Sequence, residues 1–218
     1  MNKTVLTLSL SAALLAAPML SAAEPLSFGE HQQIRIMAGG GVGQAIAGMP
    51  ETESLAIVNN RSAICGALSG GIGAGMLAAN PNAGLSVAAM GSPEDAADAV
   101  QAIADADVTY MAFGAGASRE DNVALAHGLL SELEQAGWHG TLMLHISTWM
   151  QKQVQAVAER DAEVAEYLKD LPMIALTPDL AAGEAVMHRV NFDGESFTTE
   201  EMGRRPMRDD LVELFRRM

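Results

Sequence analysis

The chain has five histidines in 218 residues, at 31, 127, 139, 145 and 188. No two stand at a metal-binding helical spacing such as His-Glu-x-x-His. His31 falls in a segment expected to be a flexible start, His139 in a turn, and His127 at the edge of a helical stripe. Two remain of interest. His145, in "TLMLHISTW", closes a strand-like run, and His188, in "AAGEAVMHRVNFDGESF", follows Glu184 closely. Imidazoles with a carboxylate over a cleft can hold a borderline divalent ion or move a proton. His145, Glu184 and His188 are therefore the candidate catalytic residues, with His145 and His188 as candidate metal ligands. A hydrogen-bonded structural histidine is the competing reading for each.

A second candidate is a glycine-rich loop. "YMAFGAGASRED" passes from an apolar run into alternating glycines and then into a capped, acidic helix start. Backbone N–H groups at such a start can receive a carboxylate, and glycines let a ligand come close. Gly114, Ala115, Gly116, Ser118 and Arg119 are the candidate binding residues; an ordinary tight turn is the competing reading. "AGGGVGQAIAG" and "GAGMLA" are weak dinucleotide fingerprints, and no Walker lysine exists. The glycines of "CGALSGGIGAGMLAA" read better as close helix packing, with Cys65 a buried, inert thiol.

These residues need a frame. Short, continuously apolar runs at 34–39, 55–60, 84–90, 108–113, 141–146 and 171–177 read as strands covered on both faces. Helical patterns alternate with them. Val123, Ala126, Leu129, Leu130 and Leu133 form one stripe behind Ser118 and Asp121. Val154, Val157, Val164 and Leu168 form another. The expected fold is α/β: an open, mostly parallel sheet with helices on both faces. Its carboxyl-end rim would carry "FGAGAS", "HISTW" and "TPDLAAGE", where ligands sit in such sheets. Leu211, Leu214, Phe215 and Met218 mark a C-terminal docking helix.

Residues 1–23 read as a cleavable signal peptide: Lys3, an apolar run from Val5 to Leu20, then Ser21-Ala22-Ala23. The expectation is an exported, periplasmic protein with one domain over residues 24–218. Without Lys3, 12 basic residues stand against 27 acidic ones, a net charge of −15. That disfavours nucleic acid and anionic membrane surfaces as partners. No later segment is long and apolar enough to span a bilayer. A homo-oligomer is left open.

Four stretches, read in order, resemble the anaerobic (class II) cobalt chelatase family, which inserts Co²⁺ into sirohydrochlorin. They are "LSVAAMGSPEDAADAVQAI", "YMAFGAGASREDNVALAHGLLSELEQAGW", "AAGEAVMHRVNFDGESF" and "MGRRPMRDDLVELFRRM". The resemblance covers about residues 54–218. It implies a chelatase-like fold, a tetrapyrrole as substrate or ligand, Co²⁺, and a place in cobalamin or sirohaem biosynthesis. Gly114, Gly116, Ala117, Ser118, Gly183 and Asp193 match the family's scaffold. Its ligand positions depart: the two histidines fall on Ala115 and Ala185, and the metal-site acid falls on or near Ile146. Metal insertion would need the displaced set His145, Glu184 and His188. The alternative is a non-catalytic periplasmic binding protein for a haem-like tetrapyrrole or another small ligand. A fragment-like relative of periplasmic solute receptors is a third class.

Overall fold

A computed structural model describes residues 25–114 and 116–218; the expected signal peptide lies outside the described residues. Five strands follow the apolar runs: β1 (Ser54–Asn60), β2 (Gly84–Met90), β3 (Val108–Ala112), β4 (Thr141–Leu144) and β5 (Met173–Asp179). All five are parallel, in the order β2-β1-β3-β4-β5. Two antiparallel strands, β6 (Glu184–Phe192) and β7 (Phe197–Pro206), extend the same sheet beyond β5. The fold is thus an α/β open sheet, mostly parallel, as expected.

Helices cover both faces. On one lie α1 (Phe28–Ala47) and α2 (Ala63–Ala79). On the other lie α3 (Ala96–Ile103), α4 (Arg119–Gln135), α6 (Gln153–Ala158) and α7 (Ala162–Asp170), with a short α5 (Ile146–Met150) at the strand ends. The strands alternate between the two cores because successive side chains point to opposite faces. Leu55, Ile57, Tyr110 and Met143 pack under α1 and α2, against Ile46, Leu68, Ile72 and Met76. Ala56, Val58, Met111 and Leu144 face α3, α4, α6 and α7.

Several expectations are corrected. Residues 34–39 are not a strand but part of α1, and His31 sits in its first turns rather than in a flexible start. The reason lies upstream. Ser27 and Glu30 form a reciprocal capping box that nucleates a helix through the apolar run. The run at 153–170 breaks into α6 and α7, because Asp161 turns and caps a new helix start through the N–H groups of Glu163 and Val164. "MGRRP" belongs to β7 rather than to a closing helix. The last helix, α8, spans only Asp209–Arg216.

α1 and α2 meet through glycine. A Cβ on Gly39 would lie 2.6 Å from the Leu68 carbonyl oxygen, and one on Gly71 2.5 Å from that of Ile36. Gly43 and Gly75 are closer still to Ile72 and Gly40. Glycines four residues apart on each helix therefore let the backbones touch, as expected for "CGALSGGIGAGMLAA". Cys65 is buried in this helix. α8 docks on α1, with Leu211 and Leu214 against Ile34 and Arg217 on Glu30 at 2.5 Å.

Candidate functional site

The chain leaves β1 toward α2 on one face and β3 toward α4 on the other. The crevice between their carboxyl ends is the topological switch point, the usual ligand position in such sheets. Here the two loops face each other. Gly116 has φ +92°, the left-handed region, and a Cβ there would lie 3.1 Å from the Ser62 Cβ. Asn122 is fully buried beneath them: its Nδ2 donates to the Gly114 carbonyl at 2.9 Å, and its Oδ1 accepts from Asn60 Nδ2 at 3.2 Å. Asn122→Leu would strand a buried carbonyl and remove one partner of the Asn60 amide. The expected loss is roughly 2–4 kcal/mol of unfolding free energy in urea, with m unchanged.

The expected binding loop is fastened to its own chain. The side chains of Ser147, Thr148 and Gln153 donate to the Phe113 carbonyl at 3.2, 3.2 and 3.1 Å. A Cβ on Gly114 would lie 2.5 Å from Ser147 Oγ, so that glycine admits α5 rather than a ligand. Ser118 closes a capping box with Asp121. Arg119 Nε donates to the Gln151 carbonyl at 2.8 Å instead of standing free for an anion. Ala115 lies outside the described residues. The loop is thus a built turn, and its expected ligand contacts are made by protein groups.

The candidate catalytic residues do not converge. His145 caps the end of β4 and is buried; its Nδ1 shares a hydrogen bond of 2.8 Å with the Tyr110 hydroxyl, on the α1/α2 face. Burial lowers its pKa to about 3, helped by the nearby Arg35 of α1, so the ring is neutral. Burial also pushes Tyr110 well above the usual phenol range.

His188 pairs with Ala175 across β5–β6 and therefore points to the opposite face, where Nε2 meets Thr177 Oγ1 at 2.9 Å. Glu184 is four residues earlier on the same strand, roughly 13 Å away along it, and accepts from Arg204 at 3.3 Å. Among the described residues no group of three His, Cys, Asp or Glu side chains is placed to hold a metal ion. The displaced metal set is therefore corrected: the sheet separates His145 from His188, and the length of β6 separates Glu184 from His188.

What the sheet does provide is a groove of about 440 Å³ between α2 and the edge strand β2. Its upper end, beside the switch point, is polar: Asn59, Arg61, Ser62 and Ser69. Its floor is apolar, with Leu77, Leu85 and Val87 all substantially exposed. Gly70 and Gly73 line the α2 wall. Arg61 reaches over the end of β2, donating to the Ala89 carbonyl at 3.3 Å and pairing with Asp95 at 3.3 Å. Among the described residues no imidazole lines the groove. Sequence reading missed it because its walls are Gly, Ala, Leu and Val, residue types that ordinarily signal core. The available signal was "NNRS", polar residues that close β1 and lead into α2.

The class defined by the fold is an open α/β sheet with a lateral groove at its switch point. Over residues 31–214 the chain matches a family model described as "Uncharacterized protein", and it belongs to that family. No curated protein matches the chain. Among solved structures it is similar to an ABC transporter solute-binding protein from Conexibacter woesei, at 16% identity and TM-score 0.38, over 65% of this chain and 41% of that one. It is also similar to a protein from Mycobacterium smegmatis, at 18% identity and TM-score 0.38, over 66% and 47%. The chain spans less than half the length of either. Among the described residues no helix is long and apolar enough to cross a membrane.

Proposed function

We propose that this is an exported, non-catalytic binding protein for a small ligand with an apolar body and a polar or anionic head. The observation that carries the reading is the α2/β2 groove: its volume lies in the range of small-molecule sites, with an apolar floor and polar groups gathered at one end. Arg61 would meet the head, as a charge-assisted donor. The resemblance to cobalt chelatases makes a tetrapyrrole the first ligand to try. Its flat ring would lie along Leu85 and Val87, with a carboxylate toward Arg61. Metal insertion is the weaker reading, because the chemistry needs ligands and a base near the macrocycle, and His145 and His188 face different cores.

The test uses protein recovered from the periplasm, whose mass should lack residues 1–23. It is titrated with haem and with sirohydrochlorin, with and without Co²⁺, and followed by absorption. A saturable band shift without metallated product is expected. Gly70→Leu projects a side chain into open space in the groove and relieves a helix of a glycine. It should weaken binding at least about tenfold while stabilising the fold by roughly 0.5–1 kcal/mol. Co²⁺-dependent product would replace this reading with the chelatase one; unchanged affinity in Gly70→Leu would move the ligand out of the groove.

A further inference from the structure

The two edges of the sheet are built differently. β7 carries Glu200, Glu201, Arg204, Arg205 and Pro206, charges and a proline that blunt an edge against further pairing. β2, "GLSVAAM", carries none. No charged residue occurs anywhere from Ser62 to Pro93, although the whole chain has 13 basic and 27 acidic residues. That stretch folds into α2 and β2, and it exposes Leu77, Leu85 and Val87 along the open side of the sheet. Half of an edge strand's N–H and C=O groups point away from its single neighbour, a template for another strand.

We propose that β2 pairs with β2 of a second copy, antiparallel about a two-fold axis, joining two sheets into one. Charge supports this occupant. In a protein of net charge −14, the uncharged edge is where two copies approach with least repulsion. The flanks are complementary as well. Glu53 lies beside the start of β2, where its carbonyl accepts from Gly84, and Arg61 lies across the end of β2. Antiparallel pairing brings each Arg61 toward the other copy's Glu53; parallel pairing would set Arg61 against Arg61. A two-fold axis normal to the sheet also places both α2 helices on one side, so Leu85 and Val87 of both copies form a continuous floor. The pairing does not depend on the ligand reading.

Sedimentation velocity of purified, ligand-free protein reads the result. A dimer dissociating on the order of micromolar concentration is expected. Gly84 donates to Glu53 and Met90 accepts from Arg61, so the even residues of β2 face β1 and Val87 presents its N–H to the open edge. Val87→Pro and Val87→Lys should each yield a monomer with unchanged far-ultraviolet circular dichroism, whereas Thr199→Lys on β7 should leave the dimer intact. Val87→Cys should cross-link under mild oxidation, with little background from the buried Cys65. Arg61→Glu should loosen the dimer at least about tenfold, and Glu53→Arg in the same chain should restore it. A wild-type monomer overturns the proposal. So does a dimer that survives both β2 variants, or a monomer that binds phosphatidylglycerol vesicles through this edge.

Discussion

Gly43→Ala should cost about 3 kcal/mol or more, lowering the melting temperature by roughly 6–12 °C for a chain of this size. The added methyl would lie 2.6 Å from the Met76 backbone nitrogen and closer still to the Ile72 carbonyl. These are backbone atoms inside a helix, so no side-chain rotation relieves the clash. α1 must move away, and with it the Ile46 contact to the sheet and the α8 dock on Ile34. The matched control is Gly41→Ala in the same helix. Nothing lies within 4 Å of its Cβ, so it should gain roughly 0.5–1 kcal/mol from helix propensity alone. Thermal unfolding of the two variants side by side decides the matter. Equal shifts would mean that glycine content, rather than helix contact, sets the cost.

Acid should destabilise the fold from pH 6.5 downward, and His145 should be the cause. Its folded pKa is depressed from 6.5 to about 3 by burial, with Arg35 adding to the effect. Between those values the unfolded chain binds a proton that the folded chain refuses, so stability falls as pH falls. The loss is about 2 kcal/mol between pH 7 and pH 5, with a limiting slope of about 1.4 kcal/mol per pH unit. Carboxylates whose pKa is lowered on folding act in the same direction but at lower pH. Glu30, held at about 2 by the Ser27 backbone N–H and by Arg217, loses its contribution only as pH drops below 4.5. His145→Gln keeps an acceptor for the Tyr110 hydroxyl and cannot titrate in this range. Urea unfolding of that variant at pH 7, 6 and 5 should give a nearly flat series. A slope equal to that of the wild type would remove His145 from the account.

Both predictions concern residues whose types were conspicuous and whose environments were not. His145 was correctly placed at a strand's carboxyl end, because apolar runs bounded by glycine and proline mark strands by local chemistry. That it faces α1 while His188 faces the opposite core is a matter of pairing register. The Ala175–His188 pair sets it, through an antiparallel strand. Similarly, Ser118 and Asp121 announced α4, and the stripe from Val123 to Leu133 is buried. The same kind of signal, Ser27 with Glu30, precedes α1, while the run at 34–39 that follows it carries the local pattern of a strand.

The amino-acid sequence alone determined the alternation of strands and helices, the capped helix starts and the α/β class, because these follow from contacts a few residues apart. Tertiary structure decided what the glycines touch. Gly39, Gly43, Gly71 and Gly75 meet another helix, and Gly114 meets Ser147, not a ligand. It also decided that, of the uncharged residues from Ser62 to Pro93, Leu68, Ile72 and Met76 enter the core while Leu77, Leu85 and Val87 line an exposed groove and edge. The physical reason is that apolar side chains specify burial only in pairs. Leu85 and Val87 carry the pattern of a covered strand, but β2 ends at the margin of the sheet, where, among the described residues, α2 covers them only in part.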